Sequence, residues 1–408
     1  MGWSMERLYI KDKRIEELEK ELENKNNDVL IEFWNNIKKS GTPLIEDIDG
    51  EEEYSLVTLI YREKKELENV VFIPPVGMRK LENCKMDKIP NSDLWYIAYK
   101  VKKDIRFSYQ FSPNDPLNND WERRWKNVQD DEFNKNKLNF TGKVSDKYRT
   151  VPFVVLEKAK EHVWVKEYLT SPKGKIENFK IYSDILKGER DISIYTPNEY
   201  SEDNKPYGVL LLNDGFEYIN ILSAQNVLDN LIAKKEIPPI ITVFVHATKD
   251  RAENLKCNDE FSKFLACEVM TYVEKEFNIS NKSEDNIIGG YSLGGLAASY
   301  TALKYPHIFG NVLSQSGSYW YKRDDYKSED KLWIIKEFAS IERLPIKFYI
   351  NVGDIEPKIS MIDTNVQFSE ALNKLGYKVK FETFGSGHDY LCWGETLADG
   401  LKYLLGIN

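Results

Sequence analysis

Gly290-Tyr291-Ser292-Leu293-Gly294 fits the pattern G-x-S-x-G, in which a serine rides a tight strand-to-helix turn with its hydroxyl lifted clear of the backbone. Asn286-Ile287-Ile288 before it reads as the end of a buried strand, and Leu296 to Leu303 after it as a helix packed on a sheet. The flanking glycines let the backbone turn sharply and let helix and strand approach without a Cβ between them. The chemistry this suggests is nucleophilic attack by the Ser292 oxygen.

A serine alcohol needs a base to take its proton. The chain has 4 histidines. His388, in Phe384-Gly-Ser-Gly-His-Asp, follows the last expected strand, where loops gather at a sheet's carboxyl edge, and is the preferred base. His246 ends an internal strand and could line the cleft; His162 and His307 are expected to face solvent. The base in turn needs an acceptor that fixes its tautomer. In chain order Ser, acid, His, the acid falls in Gly353-Asp354-Ile355-Glu356-Pro357. Glu356 is favoured over Asp354, with a Ser–His pair lacking a carboxylate as a third arrangement. The developing oxyanion requires two N–H groups. One is expected from Leu293, the other from Gly215 or Phe216 in the turn Asn213-Asp214-Gly215-Phe216.

The elements that would hold these residues begin at about 160. Strand-like runs at 175–183, 190–196, 208–213 and 240–246 alternate with helical patterns, and more follow Ser292 to 384. This predicts an α/β-hydrolase domain over 151–408: a mostly parallel sheet with helices on both faces. Val163–Leu169 is expected to pair with Lys175–Ser183. Residues 44–145 carry short alternating runs between turn residues, the signature of a small, Ig-like all-β sandwich. With an amphipathic helix from Asp28, they form a domain spanning 28–150. Residues 1–27, rich in Glu and Lys, are expected to form a solvated helical extension.

At 408 residues and 41% hydrophobic the chain has ample core. A net charge of −9 argues against non-specific nucleic-acid binding. The 4 cysteines fall in no metal or redox spacing. The first 30 residues hold no apolar leader segment and no stretch suits a membrane span, so a cytoplasmic protein is expected.

Beyond the serine turn, Ser314-Gln-Ser-Gly-Ser-Tyr-Trp320, Gly353-Asp-Ile-Glu-Pro357 and Gly387-His-Asp-Tyr-Leu-Cys-Trp393 follow in the order of a known family, and Arg251-Ala-Glu-Asn-Leu255 is similar to a further block of it. The amino-terminal Phe33-Trp34, Gly41-Thr-Pro, Arg106-Phe-Ser-Tyr-Gln-Phe and Asp115-Pro-Leu-Asn118 extend the match. The chain over about 28–408 resembles the enterochelin (enterobactin) esterases. The resemblance implies an intracellular hydrolase that opens the serine trilactone of a ferric catecholate siderophore, with Ser292 as nucleophile, His388 as base and Glu356 as acid. The iron would arrive with the substrate, and no cofactor is implied. Asn254 stands where the family's Arg-x-x-Glu-Leu block has an acid. A trianionic aromatic ligand wants cations and rings. Arg251, Trp320, Trp393, and Trp121 and Arg124 of Trp121-Glu-Arg-Arg-Trp125 are the candidates, with core packing an equal reading for the tryptophans. A carbohydrate-acyl or feruloyl-type esterase is the alternative.

Overall fold

The computed structural model describes residues 5–24, 28–74, 81–118, 120–140, 150–324, 326–327 and 332–406. The chain divides into two units. One comprises 1–160 with 354–357 and 385–391; the other comprises 161–353, 358–384 and 392–408. The boundary falls ten residues beyond the expected 150. The short segments that follow two late strands group with the amino-terminal unit, which the sequence pattern did not indicate.

Among the described residues the first unit carries ten strands: β1 (Met5–Leu8), β2 (Leu44–Asp47), β3 (Tyr54–Arg62), β4 (Val70–Ile73), β5 (Asp87–Lys88), β6 (Leu94–Lys102), β7 (Arg106–Ser108), β8 (Gln110–Pro113), β9 (Lys137–Asn139) and β10 (Thr150–Val155). They form an antiparallel sheet β1-β6-β3-β2 with β5 on β6, a sheet β7-β10-β9 and a pair β4-β8. Side chains alternate across a strand, so β3 serves two cores. Val57 and Leu59 join Phe72, Tyr99, Phe107, Phe111 and Val154 in a core drawn from all three sheets. Ile60 joins Leu44 and Leu94 against the helices at Lys13–Glu23 and Asp28–Ser40.

This corrects the expectation of a solvated extension at 1–27. β1 adds a strand to the main sheet through Met5↔Val101 to Leu8↔Ala98. The following helix buries Ile15 and Leu18 beside Trp34 and Ile37. Asp12, fully buried, caps that helix by accepting from the Arg14 N–H. The Glu and Lys residues form its outer face, and Ile15, Leu18 and the partly buried Leu22 pack on the core.

The second unit carries β11 (Lys175–Ser183), β12 (Gly188–Thr196), β13 (Gly208–Asn213), β14 (Ile240–Val245), β15 (Asn286–Tyr291), β16 (Asn311–Gln315), β17 (Lys347–Gly353) and β18 (Lys378–Phe384) in the order β11-β12-β14-β13-β15-β16-β17-β18. The β11–β12 and β12–β14 pairings are antiparallel and the rest parallel. β14 and β15 are buried at every residue, as suits their near-continuous apolar and glycine runs, interrupted by Thr242 and begun by Asn286. Residues 164–169 are not the expected strand. The Glu395 carboxylate takes the N–H groups of Val163 and Trp164, and Asn230 donates to the carbonyls of Trp164 and Lys166. Side chains replace ladder partners there. Among the described residues no helix is long and apolar enough to cross a membrane.

Candidate active site

β15 ends at Tyr291, and the next residue, Ser292, has φ 56° and ψ −124°. A serine with positive φ and extended ψ is held against its backbone preference. The restraints are visible. The Ser292 N–H donates to the Gln315 carbonyl at 2.9 Å. Its carbonyl accepts from Ser318 at 3.0 Å and from Gly295 and Leu296 as the helix Leu293–Lys304 begins. The glycines are required by contact. A Cβ at Gly290 would lie 2.7 Å from the Gly294 carbonyl carbon, and one at Gly295 would lie 2.6 Å from Ser314 Oγ. Trp393 supports the turn from beneath: its ring stacks on Tyr291 at 4.4 Å and 11°, and its Nε1–H donates to Ser316 Oγ at 3.1 Å.

β13 runs parallel beside β15 and ends in a second constrained turn. Asp214 is left-handed at φ 59° and buried, and the helix Gly215–Asn220 starts behind it. Gly215 admits no side chain, since a Cβ would meet the Phe244 backbone at 2.5 Å. The Glu217 and Tyr218 N–H groups turn back to the Asp214 carbonyl. Leu293, Gly215 and Phe216 therefore all lie in the opening turns of helices, where N–H groups have no acceptor within the helix. These two helices begin at the carboxyl ends of neighbouring parallel strands.

The Asp214 carboxylate is gripped by Arg251, Nε to Oδ1 at 2.5 Å and a terminal nitrogen to Oδ2 at 2.7 Å. The same guanidinium lies 5.8 Å from the Tyr291 ring centre. Burial, then the charge of Asp214, pushes the neighbouring Glu217 carboxyl up to about 7.

In the first unit His388 Nδ1 lies 2.9 Å from Glu356 Oε2, with the Glu356 side chain fully buried. A carboxylate oxygen accepts, so this contact suits an Nδ1–H donor. Asp354, partly buried, bears electrostatically on Lys102. The loop holding His388 is tied by Asp389, which accepts from the Ser108 N–H and hydroxyl, from Ser386 Oγ and from the Leu391 N–H. Burial lifts the Asp389 carboxyl to about 6. His246 is occupied otherwise: Nε2 meets Ser193 Oγ at 2.8 Å, and burial lowers its pKa.

The expected ligand-facing residues separate. Arg124 is corrected: it is fully buried, its Nε and a terminal nitrogen on Asp115 at 2.7 and 3.0 Å and the latter also on the Asn118 carbonyl. An arginine so held cross-links its own unit. Trp393 is 2% exposed and serves the packing described above. Trp320 is 47% exposed and Arg251 partly so. The Trp121 side chain lies outside the described residues. Sequence reasoning singled out Asp214 only for its backbone. Its pairing with Arg251 joins segments whose spacing carries no signal.

Residues 183–404 match the family model described as putative esterase, and residues 56–165 match the model described as enterochelin esterase, N-terminal. The iron(III) enterobactin esterase of Dickeya dadantii is 24% identical over 416 residues, covering 91% of this chain and 92% of the relative. That of Escherichia coli strain K12 is 30% identical over 221 residues, 54% of each chain. The crystal structure of the enterobactin esterase from Shigella flexneri in the presence of enterobactin shares the fold, with a TM-score of 0.73 at 22% identity over 91% of this chain and 97% of that one.

Proposed function

Because this chain belongs to the esterase family, and its residues 56–165 match the amino-terminal domain of enterochelin esterases, we propose that it hydrolyses the ester bonds of a catecholate siderophore trilactone by serine catalysis. The observation that carries this reading is the strained Ser292 at the mouth of a helix, in a chain that also pairs His388 with a buried carboxylate. The strand order, two antiparallel pairings followed by a parallel run, supports an α/β-hydrolase architecture for the second unit.

In the proposed reaction Ser292 Oγ attacks a lactone carbonyl while His388 Nε2 takes its proton. Glu356 holds the imidazole by Nδ1 and stabilises the imidazolium that forms. The oxyanion rests on N–H groups from Leu293 and from Gly215 or Phe216. His388 then returns the proton to the departing seryl oxygen, and water repeats the sequence on the acyl-enzyme. Arg251 and Trp320 offer a cation and a ring to the catecholate. Asp214 aims the Arg251 guanidinium, so Asn254 need not be acidic to fix it. Iron enters as part of the substrate, and the proposed chemistry asks for no resident cofactor. We assign the reaction to the cytoplasm, where the siderophore would deliver its iron.

A feruloyl-type esterase would use the same machinery on another acyl group. The test compares kcat/KM for ferric enterobactin, the iron-free trilactone and a feruloyl sugar. The account expects the trilactones to lead by at least tenfold; a preference for the feruloyl sugar would overturn the substrate assignment and keep the esterase.

A further inference from the structure

Four residues after β16, Ser316 to Tyr319, form a loop held far more tightly than a connection requires. Ser316 is left-handed at φ 50° and fully buried. Its N–H donates to the Asn351 carbonyl of β17 at 2.8 Å, and its hydroxyl accepts from Trp393. At Gly317 a Cβ would lie 2.6 Å from both Ser314 Oγ and the Tyr319 ring, so only glycine fits. The Gly317 carbonyl accepts from Asn365, which is fully buried on the helix Asp363–Lys374. The buried Tyr319 hydroxyl lies 2.8 Å from Ser299 and from Ser314. A strained backbone pinned by four elements points to a demand for position.

What the loop positions is Ser318. It is 2% exposed; its N–H donates to the Ser292 carbonyl at 3.0 Å and its Oγ lies 3.4 Å from Ser292 Oγ. The same residue thus touches the turn through its backbone and the reacting oxygen through its side chain. If Ser318 accepted from Ser292, it would tie up the proton the base must remove. If it donates, that proton stays available and the nucleophilic oxygen is held in one rotamer.

We propose that Ser318 is a positioning residue for the nucleophile, its hydroxyl donating to Ser292 Oγ and setting that oxygen's resting direction. This rests on Ser292 being the nucleophile. The experiment measures the second-order rate at which a fluorophosphonate probe labels the full chain, since labelling reads the oxygen's reactivity without the siderophore. Ser318→Ala keeps the backbone N–H and removes only the hydroxyl. It should label about three- to tenfold more slowly, the equivalent of one neutral hydrogen bond. Its KM for a small ester and its melting temperature should be unchanged. Labelling at the wild-type rate or faster overturns the proposal. So does a slower rate with melting lowered by more than about 5 °C, which would assign the effect to loop packing. Wild-type labelling that survives Ser292→Ala would remove the nucleophile reading itself, a distinct result.

Discussion

Ser292 is held in a conformation that costs a non-glycine residue on the order of 1–3 kcal/mol, and its restraints come from Gln315, Ser318 and the first turn of its own helix. Such strain persists where position matters more than stability. Ser292→Ala should therefore leave folding intact and lower kcat by roughly a thousandfold or more, as expected when a nucleophile is removed; steady-state ester turnover reads this directly. The acid is separable in the same assay. Glu356→Gln should cost on the order of a hundredfold or more in kcat by disturbing the tautomer, whereas Asp354→Asn should stay within a few-fold, and the reverse order would move the acid to Asp354. Glu217 gives a pH signature. Its folded pKa, about 7, is raised above the ordinary carboxylate value, so the folded chain keeps a proton that the unfolded chain releases. Stability from this group falls as pH rises from about 4.5 to about 7 and levels off above. Glu217→Gln cannot titrate, so its melting temperature relative to wild type should rise between pH 5 and pH 8; a constant difference would contradict the burial argument. The tight turn at Ser292 and the pairing of His388 with Glu356 were legible because motif and chain order single those residues out. The Asp214–Arg251 grip was not, since no local pattern links residues on separate turns. Arg124 misled because arginines between tryptophans read alike whether they meet a ligand or a buried Asp115.

At the level of elements, the glycines around Ser292 are there for closeness rather than flexibility. Gly290 has no positive φ; it is glycine because the helix backbone passes where a Cβ would sit. Gly290→Ala should thus damage both stability and activity, unlike Ser292→Ala, and parallel thermal melts and turnover separate the two. The parallel core strands were legible as continuous apolar runs. Residues 163–169 were not, because an apolar run says nothing about whether its backbone partners are strands or the side chains of Glu395 and Asn230. The amino-terminal helix shows the converse. Its surface composition suggested a solvated tail, yet Ile15 and Leu18 are 0% and 2% exposed. Leu18→Ala should lower stability by about 2–4 kcal/mol in denaturant melts, the cost of a cavity in a packed core; an effect below about 0.5 kcal/mol would return the helix to the role of a tail.

Across the molecule, Met5–Leu8 pairs into the main sheet of the amino-terminal unit, so that unit is not bounded by the composition shift near residue 28. The grouping of 354–357 and 385–391 with that unit likewise has no trace in local sequence, because it depends on contacts distant in the chain, among them Arg106 with Gly385 and Ser108 with Asp389. What the whole chain does is a question of products. The most direct measurement incubates the full protein with ferric enterobactin and follows products by mass spectrometry, beside Ser292→Ala. The account predicts linearised trilactone and then dihydroxybenzoylserine units from the wild type, and intact substrate from the variant. Intact trilactone from both, while a simple aryl ester is still cleaved by the wild type, would contradict the assignment to siderophore hydrolysis.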